Sequence, residues 1–577
     1  MREIIKDNLT RLYGTRIGSD TFNTLAELID KWKQILEKKF HGKQKCPLSN
    51  KSVFLITYGD QVNDDAHPTL RVLYEVSRKY LRDLVDTIHI LPFYPYSSDD
   101  GFSVIDYYSV NPELGNWEDV EALSKDFSLM FDGVFNHISA KSDWFKGFLE
   151  GNTRYRDFFI VPNNDMDLSR VVRPRTSPLL TEFATKEGTK FVWTTFSANQ
   201  IDLNYKNPEV LLQIIDVLLF YVSKGASYIR LDAIAYLWKE SRTGCINLPQ
   251  THYVIQILRA VLDEIAPWTR IITETNVPHN ENISYFGNGS NEAHLVYNFT
   301  LPPLLLYSML SGNAAKLTNW AKSINLPAGD VCFLNYLASH DGIGVMPLSD
   351  ILNNKELDFL TNAIIERKGF ISYKSISDGG MVPYELNINY LDALAEPESN
   401  SLETAIKRFI IAHAIMMSMS GIPAIYFHSL FGSRGDLEGA IESGIPRRIN
   451  REKLKLRQFL KEMQDWHSIR YRIYEAIKSL IKERKKTEAL NPFNKQVILD
   501  AGAENFALLR IGEKENFLGI FNISGKQCTI KLILPTNLAN TTWIDSFTKN
   551  KFRFDHKSNL EIKIQPYNFY WMRNFLD

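Results

Sequence analysis

PEVLLQIIDVLLFYVSKG (208–225) runs almost directly into SYIRLDA (227–233), so a long helical pattern is followed at once by a short β-prone run. The same alternation extends outward in both directions. Toward the amino terminus lie VFLITY (53–58), TIHILPF (87–93) and SLMFDGVF (128–135). Toward the carboxyl terminus lie RIITET (270–275), HLVYNF (294–299), CFLNYLASH (332–340) and AIYF (424–427), with helical patterns such as LETAIKRFIIAHAIMMSM (402–419) among them. Strands that are apolar on both faces and alternate with helices imply a parallel sheet covered by helices. Eight of them predict an α/β fold closed as a (β/α)8 TIM barrel.

The rest of the chain is read as additions to that barrel, which takes 51–137 and 196–485. Residues 1–50 form a helical extension, with Leu9, Leu12, Phe22, Leu25, Leu28, Ile29, Trp32, Ile35 and Leu36 at spacings of three and four. Residues 138–195 and 343–400 are too long for simple connections, and such loops in a compact domain are usually functional. The first is expected to be an inserted loop domain, the second an inserted acceptor-loop region. From 486 to 577 short runs such as FALLRI, FLGIFNI and NLEIKI alternate with turns, predicting a C-terminal all-β domain, a small β-sandwich.

With 66 Lys+Arg against 67 Asp+Glu in 577 residues, the chain lacks the basic excess that nucleic acids and membrane surfaces attract. Neither partner is expected. Cys46, Cys245, Cys332 and Cys528 form no CxxC pair, which argues against a disulfide framework or a zinc cluster and for reduced, buried thiols. MREIIKDNLTRLYG at the start has no apolar signal core, and no apolar run reaches membrane-spanning length, so the expected compartment is the cytoplasm.

Reactive groups of a (β/α)8 barrel sit where strands end, at the carboxyl-terminal face. Arg230 and Asp232 are two apart, hence on one side of the fourth strand; Glu274 ends the fifth, and His340 and Asp341 end the seventh. One strand-end acid is as well explained by a helix cap or an ion pair. Three at one mouth suit glycosyl transfer, in which one carboxylate attacks the anomeric carbon and a protonated one donates to the departing oxygen. Crowded anions raise the pKa of the proton donor, while Arg230 is expected to keep Asp232 ionised.

GVFNH (133–137), IRLDA (229–233), TETN (273–276) and SHD (339–341) resemble the four signature segments of the α-amylase superfamily, and QIDLN (200–204) its additional segment. The likeness spans about residues 52–455 in the right order. It implies Asp232 as nucleophile, Glu274 as general acid/base and Asp341 as transition-state stabiliser, with Arg230, His137 and His340 holding the glucosyl ring and the nucleophile. HILPFYPYSSDDGF (89–102), FVWTTFSANQIDLN (191–204), YNFTLPPLLL (297–306) and RRINRE (447–452) are similar to the sucrose phosphorylase branch. That likeness implies Asp99 and Phe102 around glucose, Phe196 and Gln200 as an aromatic shelf and its neighbour, and no cofactor. Calcium-dependent amylases place a metal by the loop holding Asn136; without an acidic cluster there, no metal is expected.

The implied substrates are an α-glucoside and inorganic phosphate. A glucosyl ester on Asp232 needs only a second nucleophile, and phosphate needs guanidinium groups that match its oxygens. The resemblance maps these to Arg175, in VRPRTSP (172–178), and Arg447. MVPYELN (381–387) departs from the Leu-Asp-x-Tyr-Gln element of sucrose enzymes, with Pro383 and Glu385 at the changed positions beside Tyr384. YFHSLFGSRGD (426–436), the chain length and the helical extension are closer to the glucosylglycerate phosphorylases of the same branch. A glycerate leaving group adds a carboxylate, for which Arg434, with Arg173 and Arg448, is the expected counter-charge. Three alternatives stand beside this reading: a sucrose or sucrose 6-phosphate phosphorylase, an α-glucoside hydrolase or transglucosidase, and a non-catalytic sugar-binding protein. The sequence sets no oligomeric state.

Overall fold

The computed structural model describes residues 1–375, 380–397 and 402–576. Its centre is a closed barrel of eight parallel strands in sequential order: β1 (Phe54–Thr57), β2 (Thr87–Ile90), β3 (Ser128–Gly133), β4 (Ala226–Leu231), β5 (Arg270–Thr273), β6 (Leu295–Tyr297), β7 (Cys332–Asn335) and β8 (Ile422–Tyr426). Each falls on a run expected to be a strand. They are buried nearly throughout, which is why their sequences are apolar on both faces.

The helix before β4, Pro208–Ser223, shows how the repeats are punctuated. Asn207 accepts from the Glu209 N–H and Pro208 occupies the first turn, a start that stabilises a helix by about 1 kcal/mol. Val210, Leu211, Ile214, Ile215, Leu218 and Val222 are buried against the barrel.

The amino-terminal extension is two helices, α1 (Arg2–Tyr13) and α2 (Thr15–Lys39), not one. Gly14 separates them with φ 78°, a conformation open to a residue without Cβ. The helices then fold against each other so closely that a Cβ on Gly18 would lie 2.8 Å from the Leu9 carbonyl oxygen. The Trp32 indole N–H donates to Asp216 Oδ1 at 2.8 Å, tying α2 to the barrel helix.

After β3 the chain leaves the barrel and forms the helix Asp143–Leu149 and the hairpin Leu180–Thr185/Gly188–Trp193. It returns by pairing Gln200–Asp202 with His137–Ser139. After β7, Met381–Asn387 pairs with both Ile343–Gly344 and Phe370–Ser375. Parts of SISDGG and AEPESNS, residues 376–379 and 398–401, lie outside the described residues.

The C-terminal strands make a six-stranded antiparallel sheet and a two-stranded one. Alternation divides the larger sheet. Phe506, Leu508, Phe517, Phe521 and Trp571 continue the barrel core, while Ala507, Leu509, Leu518, Ile520 and Met572 pack with Ile530, Leu532, Ile562 and Ile564 of the smaller sheet. All four cysteines are free; Cys46 is exposed, contrary to expectation, and the other three are buried.

Candidate active site

Backbone ladders extend one residue past two barrel strands and aim two acids into the mouth. Asp232 N–H donates to the Gly133 carbonyl at 3.1 Å, and Glu274 N–H to the Leu231 carbonyl at 3.2 Å. Ala233 then turns the chain away with φ 48°, and its N–H donates to Glu274 Oε2 at 3.0 Å. Asp341 arrives on the loop after β7, where Arg447 Nη1 lies 2.8 Å, Arg451 Nη2 3.4 Å and His340 Nε2 3.3 Å from its carboxylate.

The three acids line one cavity with Asp99, Phe102, His137, Arg175, Phe196, Gln200, His340, Tyr384, Glu385 and Arg447. Arg230 stands behind that wall, in an adjoining void shared with Glu274 and Asp341. Its Nη1 bonds Asp132 and lies 2.9 Å from Asp232 Oδ1, while its Nη2 is 3.9 Å from Glu274 Oε1.

One guanidinium among three carboxylates does not neutralise them. Burial pushes Glu274 up from the ordinary carboxylate range, against Arg230, and it pushes Asp232 up as well, against Arg230 and with Glu274 adding to it. Arg230 therefore does less to hold Asp232 ionised than the sequence suggested, because Asp132 shares it. Asp341 differs: burial works against its charge, but Arg447, His340 and Arg451 together hold it well below the usual range. Burial pushes His137 down and His340 well down, in the latter case against the pull of Asp341.

The ring-sized part of the cavity is walled by stacked groups. Phe102 lies parallel to His340 with centroids 4.7 Å apart, and Phe196 stands 5.2 Å from His137 and edge-on to Tyr236 at 5.5 Å. His137 Nε2 donates to the Phe102 carbonyl at 2.9 Å, and Gln200 Nε2 donates to the same oxygen at 3.1 Å. Asp99 and Asp100 both take left-handed φ, 53° and 47°. That backbone costs of order 1–3 kcal/mol per residue. Arg451 Nη1 offsets it by bonding Asp99 at 3.1 Å and Asp100 at 2.9 Å.

On the acceptor side Arg447 grips Glu385 through Nε at 3.0 Å and Nη2 at 2.5 Å, and Arg175 Nη1 lies 3.8 Å from the same carboxylate. The Arg175 guanidinium also sits 5.6 Å from the centre of the buried Tyr384 ring. The other arginines expected here are placed elsewhere. Arg434 pairs with Asp392 and is half-exposed, Arg448 pairs with Asp100 at 2.9 Å, and Arg173 donates to the Ser177 carbonyl at 2.7 Å. None of the three is among the residues lining the cavity; among the described residues the guanidiniums that line it are those of Arg175 and Arg447.

Around Asn136, Lys239 supplies a cation from the chain itself. Its ammonium is 3.2 Å from Asn136 Oδ1 and 2.7 Å from Asp202 Oδ2, and also bonds the Tyr236 carbonyl. Among the described residues no group of three or more His, Cys, Asp or Glu is arranged to hold a metal ion.

Sequence reasoning missed several side chains that shape the site. Asp132 and His89 form a fully buried pair at 2.7 Å behind Arg230. A signal existed for Asp132, which faces Arg230 in the β3–β4 register. Arg451 lies four residues after Arg447 in RRINRE and buttresses Asp341, Asp99 and Asp100. Tyr236, Asn276 and Phe299 also line the cavity; Asn276 and Phe299 lie within TETN and YNFTLPPLLL, and nothing in the spacing marks Tyr236.

A closed parallel barrel with carboxylates gathered at its carboxyl-terminal mouth is the architecture of sugar-transforming barrel enzymes, and the comparisons agree. Residues 77–345 match the alpha-amylase catalytic-domain family. The glucosylglycerate phosphorylase of Spirochaeta thermophila is 48% identical over 91% of this chain and 89% of its own length. That of Escherichia coli is 40% identical over 99% and 100%. The crystal structure of sucrose 6F-phosphate phosphorylase from Thermoanaerobacter thermosaccharolyticum superposes with TM-score 0.73 at 24% identity, covering 91% of this chain and all of that one. The chain belongs to the glycoside phosphorylases of the α-amylase family. Among its described residues no helix is long and apolar enough to cross a membrane.

Proposed function

We propose that this enzyme is a retaining phosphorylase that converts 2-O-α-glucosylglycerate and inorganic phosphate into α-glucose 1-phosphate and glycerate. The observation that carries the reading is that Asp232, Glu274 and Asp341 share one cavity with Arg175 and Arg447. Its relatives of 48% and 40% identity, both named glucosylglycerate phosphorylases, support the choice of acceptor.

Burial pushes both acids up, Asp232 well up, but Asp232 lies closer to Arg230, at 2.9 Å against 3.9 Å, and this contact supports Glu274 as the holder of the proton. Asp232 attacks the anomeric carbon as the bond to glycerate breaks, and the Glu274 proton goes to the departing oxygen. Asp341, ionised beside Arg447, stabilises the positive charge on the ring. Glycerate leaves. A phosphate oxygen then attacks the same carbon, Asp232 departs with the bonding electrons, and Glu274 takes the phosphate proton. Two displacements restore the α configuration. Asp99, Phe102, His137, Phe196, Gln200 and His340 hold the glucosyl ring, while Arg175, Arg447 and Tyr384 border the entering phosphate.

We assign 51–137 and 196–485 to the catalytic barrel. Around it, 1–50 form the helical extension, 138–195 the loop domain, 343–400 the acceptor-loop region and 486–577 the β-sandwich. A phosphorylated sugar does not cross membranes, so the cytoplasm is the compartment this reaction fits. Initial rates on 2-glucosylglycerate, sucrose and sucrose 6-phosphate, each with and without phosphate, test the proposal. Glucose 1-phosphate formed fastest from glucosylglycerate is expected. Free glucose at the same rate without phosphate means a hydrolase, and faster turnover of sucrose overturns the acceptor.

A further inference from the structure

Five carboxylates line the cavity, those of Asp99, Asp232, Glu274, Asp341 and Glu385, against the guanidiniums of Arg175 and Arg447. A dianion entering such a site finds its two partners already engaged. Arg447 divides itself between Asp341 at 2.8 Å and both oxygens of Glu385 at 3.0 and 2.5 Å, and Arg175 faces Glu385 at 3.8 Å. The Glu385 side chain is only 6% exposed, so its charge is screened little by water. Unlike the other four acids it is at neither the nucleophile, the proton donor, the ring stabiliser nor the glucose-binding turn. A carboxylate gripped by two nitrogens of one guanidinium and facing a second has the geometry of a bound oxyanion.

Resting on the phosphorylase reading, we propose that Glu385 is an internal counter-anion of the acceptor pocket, competing with the oxyanion substrates for Arg447 and Arg175. In a double displacement the two acceptors are never bound together. The carboxylate of glycerate leaves before phosphate enters, so one pair of arginines serves both. Glu385 adds to the neutralisation of that pair between visits: Asp341 faces Arg447 at 2.8 Å, while Arg175, 25% exposed, faces Glu385, and removing solvent from unpaired guanidiniums is costly. The tether that spares this cost also weakens each oxyanion, and it sets how readily glycerate is released.

Glu385→Gln keeps the shape and removes the charge. Michaelis constants are measured for phosphate in phosphorolysis, for glycerate in the reverse reaction from glucose 1-phosphate, and for α-glucosyl fluoride, a neutral donor. The constants for phosphate and for glycerate are each expected to fall about tenfold, ~1.4 kcal/mol apiece. That for the fluoride moves far less. Glu385→Asp, which retains the charge, stays near the parent in all three. Unchanged or raised constants for both oxyanions in Glu385→Gln, with kcat reduced, mean that Glu385 merely braces Arg447 and overturn the proposal. A fall for phosphate alone overturns the shared site, and a fall equal in Glu385→Asp overturns the role of charge. A parent enzyme that makes no glucose 1-phosphate sinks the phosphorylase reading itself, which separates the two failures.

Discussion

Asp232 and Lys239 lie seven residues apart and carry opposite consequences for mutation. Asp232→Asn retains size and removes the nucleophilic charge; turnover should fall by about 10⁴-fold or more, as when one member of a catalytic set is lost, with the melting temperature nearly unchanged. Rates within tenfold of the parent would refute its role. Lys239→Met should do the reverse. Asp202 is fully buried, and without the ammonium at 2.7 Å its charge is uncompensated despite the Thr195 N–H and hydroxyl, each at 2.7 Å. Breaking such a pair costs about 3–5 kcal/mol, so a clear drop in denaturant midpoint is expected, and an unshifted midpoint would contradict it. The three acids could be read from strand-end motifs. Lys239 could not, because nothing in LWKE marks its ammonium as the centre of a cluster from β3, the inserted segment and the loop after β4.

At the scale of elements, the helix Glu403–Ser418 stores a pH dependence. His413 is 1% exposed, its Nδ1 bonds the Phe409 carbonyl at 2.8 Å, and burial pushes it down to about 4. The unfolded chain binds that proton near pH 6.5, the fold only near 4. The neutral ring therefore contributes fully above about 6.5, and its contribution declines as pH falls toward 4, by ~1.4 kcal/mol per unit. Thermal unfolding of His413→Gln between pH 6.5 and 4.5 should lose that part of the acid sensitivity; identical slopes would remove the claim. The eight strands were legible because burial on both faces leaves runs with few polar residues. The break between α1 and α2 was less so, since one period spans both helices and only the φ of Gly14 separates them. Strands Thr542–Asp545 and Lys551–Arg553 were not picked out because they are short and mixed with exposed polar residues, and Phe569–Phe575 was not picked out because its burial does not alternate.

At the scale of the whole molecule, the barrel core runs on into one face of the C-terminal sheet, whose other face packs in a cluster of its own. Phe506, Phe517, Phe521 and Trp571 belong to the same buried cluster as the barrel. Arg510, from that sheet, donates to the Ser418 carbonyl at 3.1 Å at the end of the barrel helix. A chain ending at Thr487 is expected to collect in the insoluble fraction, because a continuous apolar face of the barrel would meet water. Full solubility with parental turnover would show the sheet to be dispensable. By itself the sequence determined the barrel, the order of its strands and the two acids, Asp232 and Glu274, that directly follow strands, since strand burial and side-chain parity are local properties with a fixed period; Asp341 falls instead on the loop after β7. The tertiary structure alone decided that Arg230 is shared with Asp132, that Glu385 closes on Arg447 and Arg175, and that Arg434 turns to Asp392. Which charge meets which depends on distances between segments 42 to 210 residues apart, and a one-dimensional pattern carries no such distances.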